Sequence, residues 1–321
     1  MRNRTSLVAA TVALTVTASL AAVGVGAASA NASSTPTAPA GANATLWKEL
    51  PKSIQKSKTI TLGTTQVLNS SGLPVSGLDQ KNGKTIIGID ADVRNAVAKV
   101  LGINFKITYE PQAQFAALPT NVNAGKYQLI QGNLGITAAR EQVIHFASYG
   151  AASEDVLVGT SSPLAGKKVT SLTDLCGHSV VSIAGILPST ILNNNANLCS
   201  SKGLKSWNNT QVTSDASAQA TVVTGLTQGR YDAYFAPQNT VAAIDQADAS
   251  IKDIGTVAQL QVGFGFPLNS SGKALAKVIA DAINVLIKNG TYKKIYSAYS
   301  AYQAKQYYTI AKSQVDPKPA V

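Results

Sequence analysis

The sequence predicts an α/β protein built on parallel sheet, and three observations carry that prediction. Short β-branched runs alternate with stretches of helical periodicity along most of the chain. The helical stretches end on glycine, at Gly102, Gly125 and Gly290. The chain's 321 residues, 45% hydrophobic and only 13% charged, supply a large apolar core in one large domain or two ordinary ones. The same composition excludes global disorder.

Taken in order, residues 1–30 read as an address. Arg2 and Arg4 precede an apolar run from Leu7 to Ala28, and Ala28-Ser29-Ala30 forms a cleavage pattern. The run is about long enough to span a membrane. Its Ala, Thr and Gly content and its cleavage site favour a secretory signal peptide over an anchor. No cysteine lies near that site, so the expected product is secreted and extracytoplasmic without a lipid anchor. Residues 31–45, rich in Ser, Thr, Pro and Ala, read as a disordered linker, with the folded body beginning near Leu46.

Ile60 to Thr64 alternates as a strand, and a turn is expected at Asn82-Gly83. Thr85 to Ile89 leads into a helix through Val100, with Asp90 as its expected N-cap and Val93, Val97 and Val100 at helical spacing. Ile103 to Tyr109 is the next strand, Phe115 to Ala124 a helix, and Tyr127 to Ile130 a short buried strand. A similar alternation follows: an apolar run at Val156 to Gly159, a strand within Leu175 to Ile183, and a helix from Ala216 to Thr227. Next come a strand at Tyr231 to Phe235, a helix at Thr240 to Gln246 and a strand at Gln261 to Leu268. Lys273 to Asn289 is a strongly amphipathic helix, and Tyr292 to Gln306 a second, whose tyrosines are read as packing residues.

Residue counts narrow the chemistry. Two His and two Cys exclude a zinc finger, an iron–sulfur cluster or a His-rich metal site built from this chain alone, so no metal or cofactor is expected. They leave little room for His-dependent nucleophilic catalysis. In an exported protein, Cys176 and Cys199 read as a disulfide, the alternative being two separate buried thiols. The net charge of +11, lowered by two when Arg2 and Arg4 are cleaved off, is either a solvated surface or an attraction to anionic cell-wall polymers. Lys and Arg are scattered, and no nucleic-acid module is present.

Several stretches occur in a characteristic order. Leu50-Pro51 is followed by KTITLGT, NGKTIIGIDADVRNAVAKVLG and AGKYQLIQGNLGITAAREQVIHFASYG. After these come LTDLCGHSVVSIAG, LTQGRYDAYFAP and VGFGFPLNSSGKALAKVIADAINVLIKNGTYKKIYSAY. Together they resemble the extracellular solute-binding proteins of family 3, the polar amino-acid receptors of ATP-binding-cassette (ABC) importers. The resemblance covers about residues 50–305. It implies a type II periplasmic-binding-protein-like fold, with two α/β lobes, two hinge strands and a central cleft. Lobe 1 would be residues 46–153 plus 262–311, lobe 2 residues 154–261, and residues 312–321 a C-terminal tail. The implied protein is a monomeric receptor, not an enzyme, that closes on a small carboxylate-bearing solute, a polar amino acid being favoured, and hands it to a membrane permease.

By the same resemblance, the T-x-x-R motif Thr137-Ala138-Ala139-Arg140 places a guanidinium on the solute's carboxylate. Its planar fork matches a carboxylate with two parallel hydrogen bonds. Asn133, Gly135 and Thr137 align with backbone and hydroxyl contacts to that group, and a helix starting near Thr137 would add free amides. On lobe 2 the family's G-T/S-T appears as Gly185-Ile186-Leu187, with Ser189 and Thr190 slightly later, so Gly185 and Ser189 are the contributors implied there. The departures are informative. Gly229-Arg230-Tyr231-Asp232-Ala233 is present, but the position of the family's ammonium-binding Asp is Pro237. Pro74-Val75-Ser76-Gly77 lacks the aromatics of the family's P-F-x-F segment. Gln238, Asn239, Glu154 or Asp155 would then have to supply the amine partner, or the solute is not an α-amino acid. A cyclohexadienyl-dehydratase-like enzyme on the same fold is the alternative, with Glu154 and Asp155 as the acids to test. His145 is read as a core or hinge residue and His178 as a surface one.

Overall fold

Two long antiparallel strands, Ile144–Gly159 and Ile251–Pro267, run through the centre of the sheet and carry both of its halves. The computed structural model describes residues 36–65, 77–78, 86–215, 217–299 and 307–319. In order, these form helices α1 (Ala44–Glu49) and α2 (Lys52–Ser57), then strands β1 (Thr59–Thr65), β2 (Gly77–Leu78) and β3 (Ile86–Ile87). Helix α3 (Ile89–Leu101), β4 (Asn104–Glu110), a 3-10 turn at Gln112–Ala117 and α4 (Leu118–Asn123) follow. Strand β5 (Leu129–Gly135), helix α5 (Ala138–Glu141) and the long β6 (Ile144–Gly159) complete the first half. The second half holds β7 (Ser179–Ile183), α6 (Leu187–Asn194), α7 (Leu198–Ser201), β8 (Asn208–Val212), α8 (Ala218–Thr227), β9 (Ala233–Pro237) and α9 (Gln238–Ala247). The long β10 (Ile251–Pro267), helices α10 (Ser270–Lys288) and α11 (Thr291–Ala298) and β11 (Tyr307–Tyr308) close the chain.

The strand order is β4-β1-β5-β10-β6-β9-β7-β8, with β11 pairing β6. Strands β1, β4 and β5 are parallel, and so are β7, β8 and β9, as expected of strands linked through helices. The central pair departs from this: β10 runs antiparallel to β5 at one end, and β6 runs antiparallel to β9 at the other. The apolar core follows the same division. Leu62, Val97, Phe264 and Ile279 belong to one cluster, while Val158, Leu175, Val180 and Phe235 belong to another.

Local chemistry explains the elements. In α10, Leu275, Val278, Ile279, Ala282, Ile283 and Leu286 are buried at the helical repeat, and Asn269 caps the start by accepting from the Gly272 N–H at 2.8 Å. Helix α3 buries Val93, Val97 and Leu101 and ends on Gly102, whose φ of 63° is left-handed. Its start corrects the expectation for Asp90. The N-cap is Gly88, at φ 118°, a conformation an L side chain resists. Asp90 lies inside the first turn, where its carboxyl accepts from the Tyr149 hydroxyl at 2.6 Å.

Other boundaries move for physical reasons. Residues 1–35, including the expected signal peptide, lie outside the described residues, as does the Asn82-Gly83 turn. From residue 36 onward the expected linker is packed: the Asn43 amide donates to the Val100 carbonyl at 2.8 Å and the Trp47 indole to Pro36 at 3.3 Å. The short strand expected at Tyr127 to Ile130 is instead Leu129–Gly135, because Tyr127 turns its ring under Gly63 and its hydroxyl to Glu110. The tyrosines of the last helix pack as expected, with Tyr292 and Tyr296 both donating to the Tyr149 carbonyl at 2.8 Å. Cys176 and Cys199 are disulfide-bonded, with Cα atoms 5.7 Å apart. No helix among the described residues is long and apolar enough to cross a membrane.

Candidate functional site

The candidate site starts where β5 runs out. Asn133 sits at φ 54°, which Asn tolerates better than most residues, and its backbone N–H reaches the Asp90 carboxyl. The chain then passes Gly135 to Thr137, which caps α5 by accepting from the Arg140 N–H at 3.3 Å. Helix α5 is a single turn, so the anion attraction expected of a helix start reduces to a few local amides.

This turn folds Arg140 back over β5. Its Nη1 donates to the Gly135 carbonyl at 2.8 Å, and its guanidinium carbon lies 5.8 Å from the centroid of the Phe115 ring. Burial lowers the Arg140 pKa from its ordinary value, and the field of Glu154 acts the other way. Among the described residues Arg140 forms no ion pair. Gly135 leaves little room here: a Cβ would overlap Leu260 Cδ1 and crowd Leu187 Cδ2 at 3.1 Å. Leu260 comes from β10 and Leu187 from the start of α6, so the turn after β5 abuts the segment that follows β7.

Glu154 lies on β6, opposite Ala258 of β10 and Pro237 of β9. It is 4% exposed, and its Oε2 has no hydrogen-bond partner among the described residues. Burial pushes its carboxyl up to about 8; Asp155 adds to the rise and Arg140 opposes it. Alternation along the strand sends Asp155 to the other face, opposite Ala236 and Thr256. Burial raises Asp155 to about 7, opposed by hydrogen bonds from Thr256, Ser153 and Gln238, while Asp253 adds repulsion.

The expected site residues therefore divide. Asn133, Gly135, Thr137 and Arg140 share one turn. Gly185, at φ 78°, precedes the α6 segment that meets that turn through Leu187. Ser189 is buried, and its hydroxyl donates to the Ile186 carbonyl at 2.7 Å, within its own helix. Gln238 accepts from the Ser153 hydroxyl at 2.8 Å and bonds Asp155, in a network on the face of β6 away from Glu154. Pro74 to Ser76 lie outside the described residues.

Phe115, Leu187 and Leu260 were not foreseen as neighbours of Arg140. Only the apolar character of these residues was visible, and it has no address without the sheet register. The histidines have structural partners. His145 Nδ1 lies 2.9 Å from Asp316, and His178 Nδ1 lies 3.3 Å from Asp232. A separate groove of about 470 Å³, lined by Asp92, Lys99, Leu286 and Ile295 among others, contains none of the expected site residues.

The chain is 26% identical over 223 residues to the "Probable amino-acid-binding protein YxeM" of Bacillus subtilis, covering 68% of this chain and 78% of that protein. It is 25% identical over 241 residues to a "Probable histidine-binding protein" of Neisseria gonorrhoeae, covering 74% and 83%. Among solved structures, a mutant of ArgBP from T. maritima superimposes with a TM-score of 0.59 at 20% identity, covering 78% of this chain and 98% of that one. The substrate-binding protein of an amino acid ABC transporter does so with a TM-score of 0.55 at 20% identity, covering 77% and 100%. These structures share the type II periplasmic-binding-protein fold with this chain. The bacterial extracellular solute-binding proteins, family 3, match residues 66–302, and the chain belongs to that family.

Proposed function

We propose that the protein is the receptor of an ABC importer and captures a small carboxylate-bearing solute, a polar amino acid being favoured, by closing two lobes on it. The lobes are residues 46–153 with 262–311 and residues 154–261, hinged on β6 and β10, and the receptor works as a monomer outside the cytoplasm. The observation that carries this reading is Arg140, a half-buried guanidinium with no carboxylate partner among the described residues, folded over Gly135, which Leu187 from the other half of the sheet abuts. A half-buried charge lacking a counter-ion is costly, and a solute carboxylate supplies one. Contacts from both halves favour the closed state by their differential affinity. Gly135, Thr137 and Gly185 shape the carboxylate end, and Phe115 walls it. The names of the relatives, as binding proteins of an amino acid and of histidine, support a receptor and do not favour the dehydratase alternative.

A thermal-shift screen tests the reading, with the twenty amino acids, simple organic acids and neutral sugars as probes. A solute held by Arg140 raises the melting temperature by mass action. A rise with at least one carboxylate, and none with sugars, is expected. A response to neutral sugars alone would overturn the assignment.

A further inference from the structure

We propose that Glu154 receives the cationic group of the captured solute and that binding expels a proton from it. This deepens the reading above and rests on Arg140 holding the solute's carboxylate. Three observations lead there. Glu154 is nine-tenths buried or more, and its Oε2 lacks a partner among the described residues. It lies on the strand that joins the two halves of the sheet, across from the uncharged Pro237 and Ala258. It is electrostatically coupled to Arg140, yet the two form no ion pair within 4 Å. A buried acid and a half-buried guanidinium that sense each other without forming an ion pair are the complement of a small zwitterion, whose carboxylate meets Arg140 while its ammonium meets Glu154.

The charged and titratable groups acting on Glu154 are Arg140 from the turn after β5, Asp155 on its own strand and Tyr234 on β9. The neighbours from β10 and β9 in register with it carry no charge. In this form of the protein burial keeps the Glu154 carboxyl protonated up to about pH 8. An ammonium beside it favours the carboxylate, so the O–H bond breaks, the proton leaves to solvent and an ion pair forms. Below that pH, affinity for a zwitterion therefore rises by up to about tenfold per pH unit and then levels off. A solute without the ammonium gives no such rise.

The test is calorimetry on the whole protein near pH 7, in two buffers of different ionisation enthalpy. The probes are each of the twenty amino acids and the same acid lacking its α-amino group. The expected result is release of close to one proton with the amino acid that binds and none with its deaminated analogue. Glu154→Gln should weaken the amino acid by at least about tenfold, abolish proton release and leave the deaminated acid unchanged. Asp155→Asn should keep the release. An amino acid that binds wild type with no proton release, or binds Glu154→Gln equally well, overturns the role of Glu154 while Arg140 stands. Binding of no carboxylate at all overturns the reading of Arg140 itself. The wild-type proton count needs no variant to fold.

Discussion

Glu154 stands directly across the β6–β9 ladder from Pro237, so the two side chains leave the same face of the sheet. Pro237 brings a ring with no charge and no N–H, and the carboxyl across from it in the ladder belongs to the neighbouring strand. A carboxyl group thereby stands near that face, anchored on a strand that runs through both halves of the sheet.

Three buried acids make stability fall as pH rises. Burial raises Asp90 to about 6, Asp155 to about 7 and Glu154 to about 8, from 3.8, 3.8 and 4.5. At pH below the unfolded values these groups are protonated in both states, and their contribution is fully present. Between the unfolded and folded values the native state holds protons the unfolded chain has lost, so stability declines with pH and the loss is complete above about 8. Urea midpoints measured from about pH 5 to about pH 9 should decline more steeply for wild type than for Glu154→Gln or Asp155→Asn. Identical slopes in all three proteins would contradict this account.

Gly135→Ala should damage fold and site together. The added methyl overlaps Leu260 Cδ1 and crowds Leu187 Cδ2, at a cost of about 1–3 kcal/mol. Leu260→Ala in the same chain should recover part of the loss, and a double-mutant cycle by chemical denaturation reads that coupling. Strict additivity of the two changes would show that the crowding is not where the structure puts it.

Reduction of Cys176–Cys199 releases a loop spanning 23 positions, worth about 3 kcal/mol on the chain-entropy model. Both cysteines lie in the chain between β6 and β10. Melting with and without reductant should show the loss, while solute affinity measured well below the melting range stays the same.

Asp316 fastens the C-terminal segment to β6, accepting from the Phe146 N–H at 2.8 Å and lying 2.9 Å from His145 Nδ1. Beside it, Val315 bridges Ala147 and Gln314 accepts from the Ser148 N–H at 3.0 Å. Asp316→Ala leaves the Phe146 amide unpaired and should cost about 1–3 kcal/mol by chemical denaturation. Proteolysis should then remove the tail faster than in wild type; an unchanged rate and an unchanged midpoint would refute the strap.

What was legible in the sequence follows from how locally each feature is encoded. Helices α3 and α10 declare themselves through apolar spacing and a terminal glycine or an Asn cap. The T-x-x-R turn is equally local, since Thr137 caps the helix that carries Arg140. The long strands are legible only at their apolar ends, Val156 to Gly159 and Gln261 to Leu268. Register shifts at Asp253/Gly255, Thr256/Ala258 and Val262/Gly263 break the alternation that marks a strand. Helix α6 was missed because its Leu187-Pro188 start resembles a loop, although proline suits a first helical turn. Choosing Glu154 over Gln238 as the acid-side residue depends on which face each strand presents. That is a property of the ladder between β6 and β9 and of no local pattern.

The most direct measurement is the dissociation constant of the best-binding carboxylate from the thermal-shift screen, for wild type and for Arg140→Ala. Removing the guanidinium leaves that carboxylate desolvated and unpaired, a loss on the order of 2–5 kcal/mol. At about 1.4 kcal/mol per tenfold this is roughly a thirtyfold weakening or more, and Arg140→Lys should fall between the two because it keeps the charge without the fork. Affinity within about twofold of wild type in a folded Arg140→Ala would contradict the central claim that this arginine holds the solute.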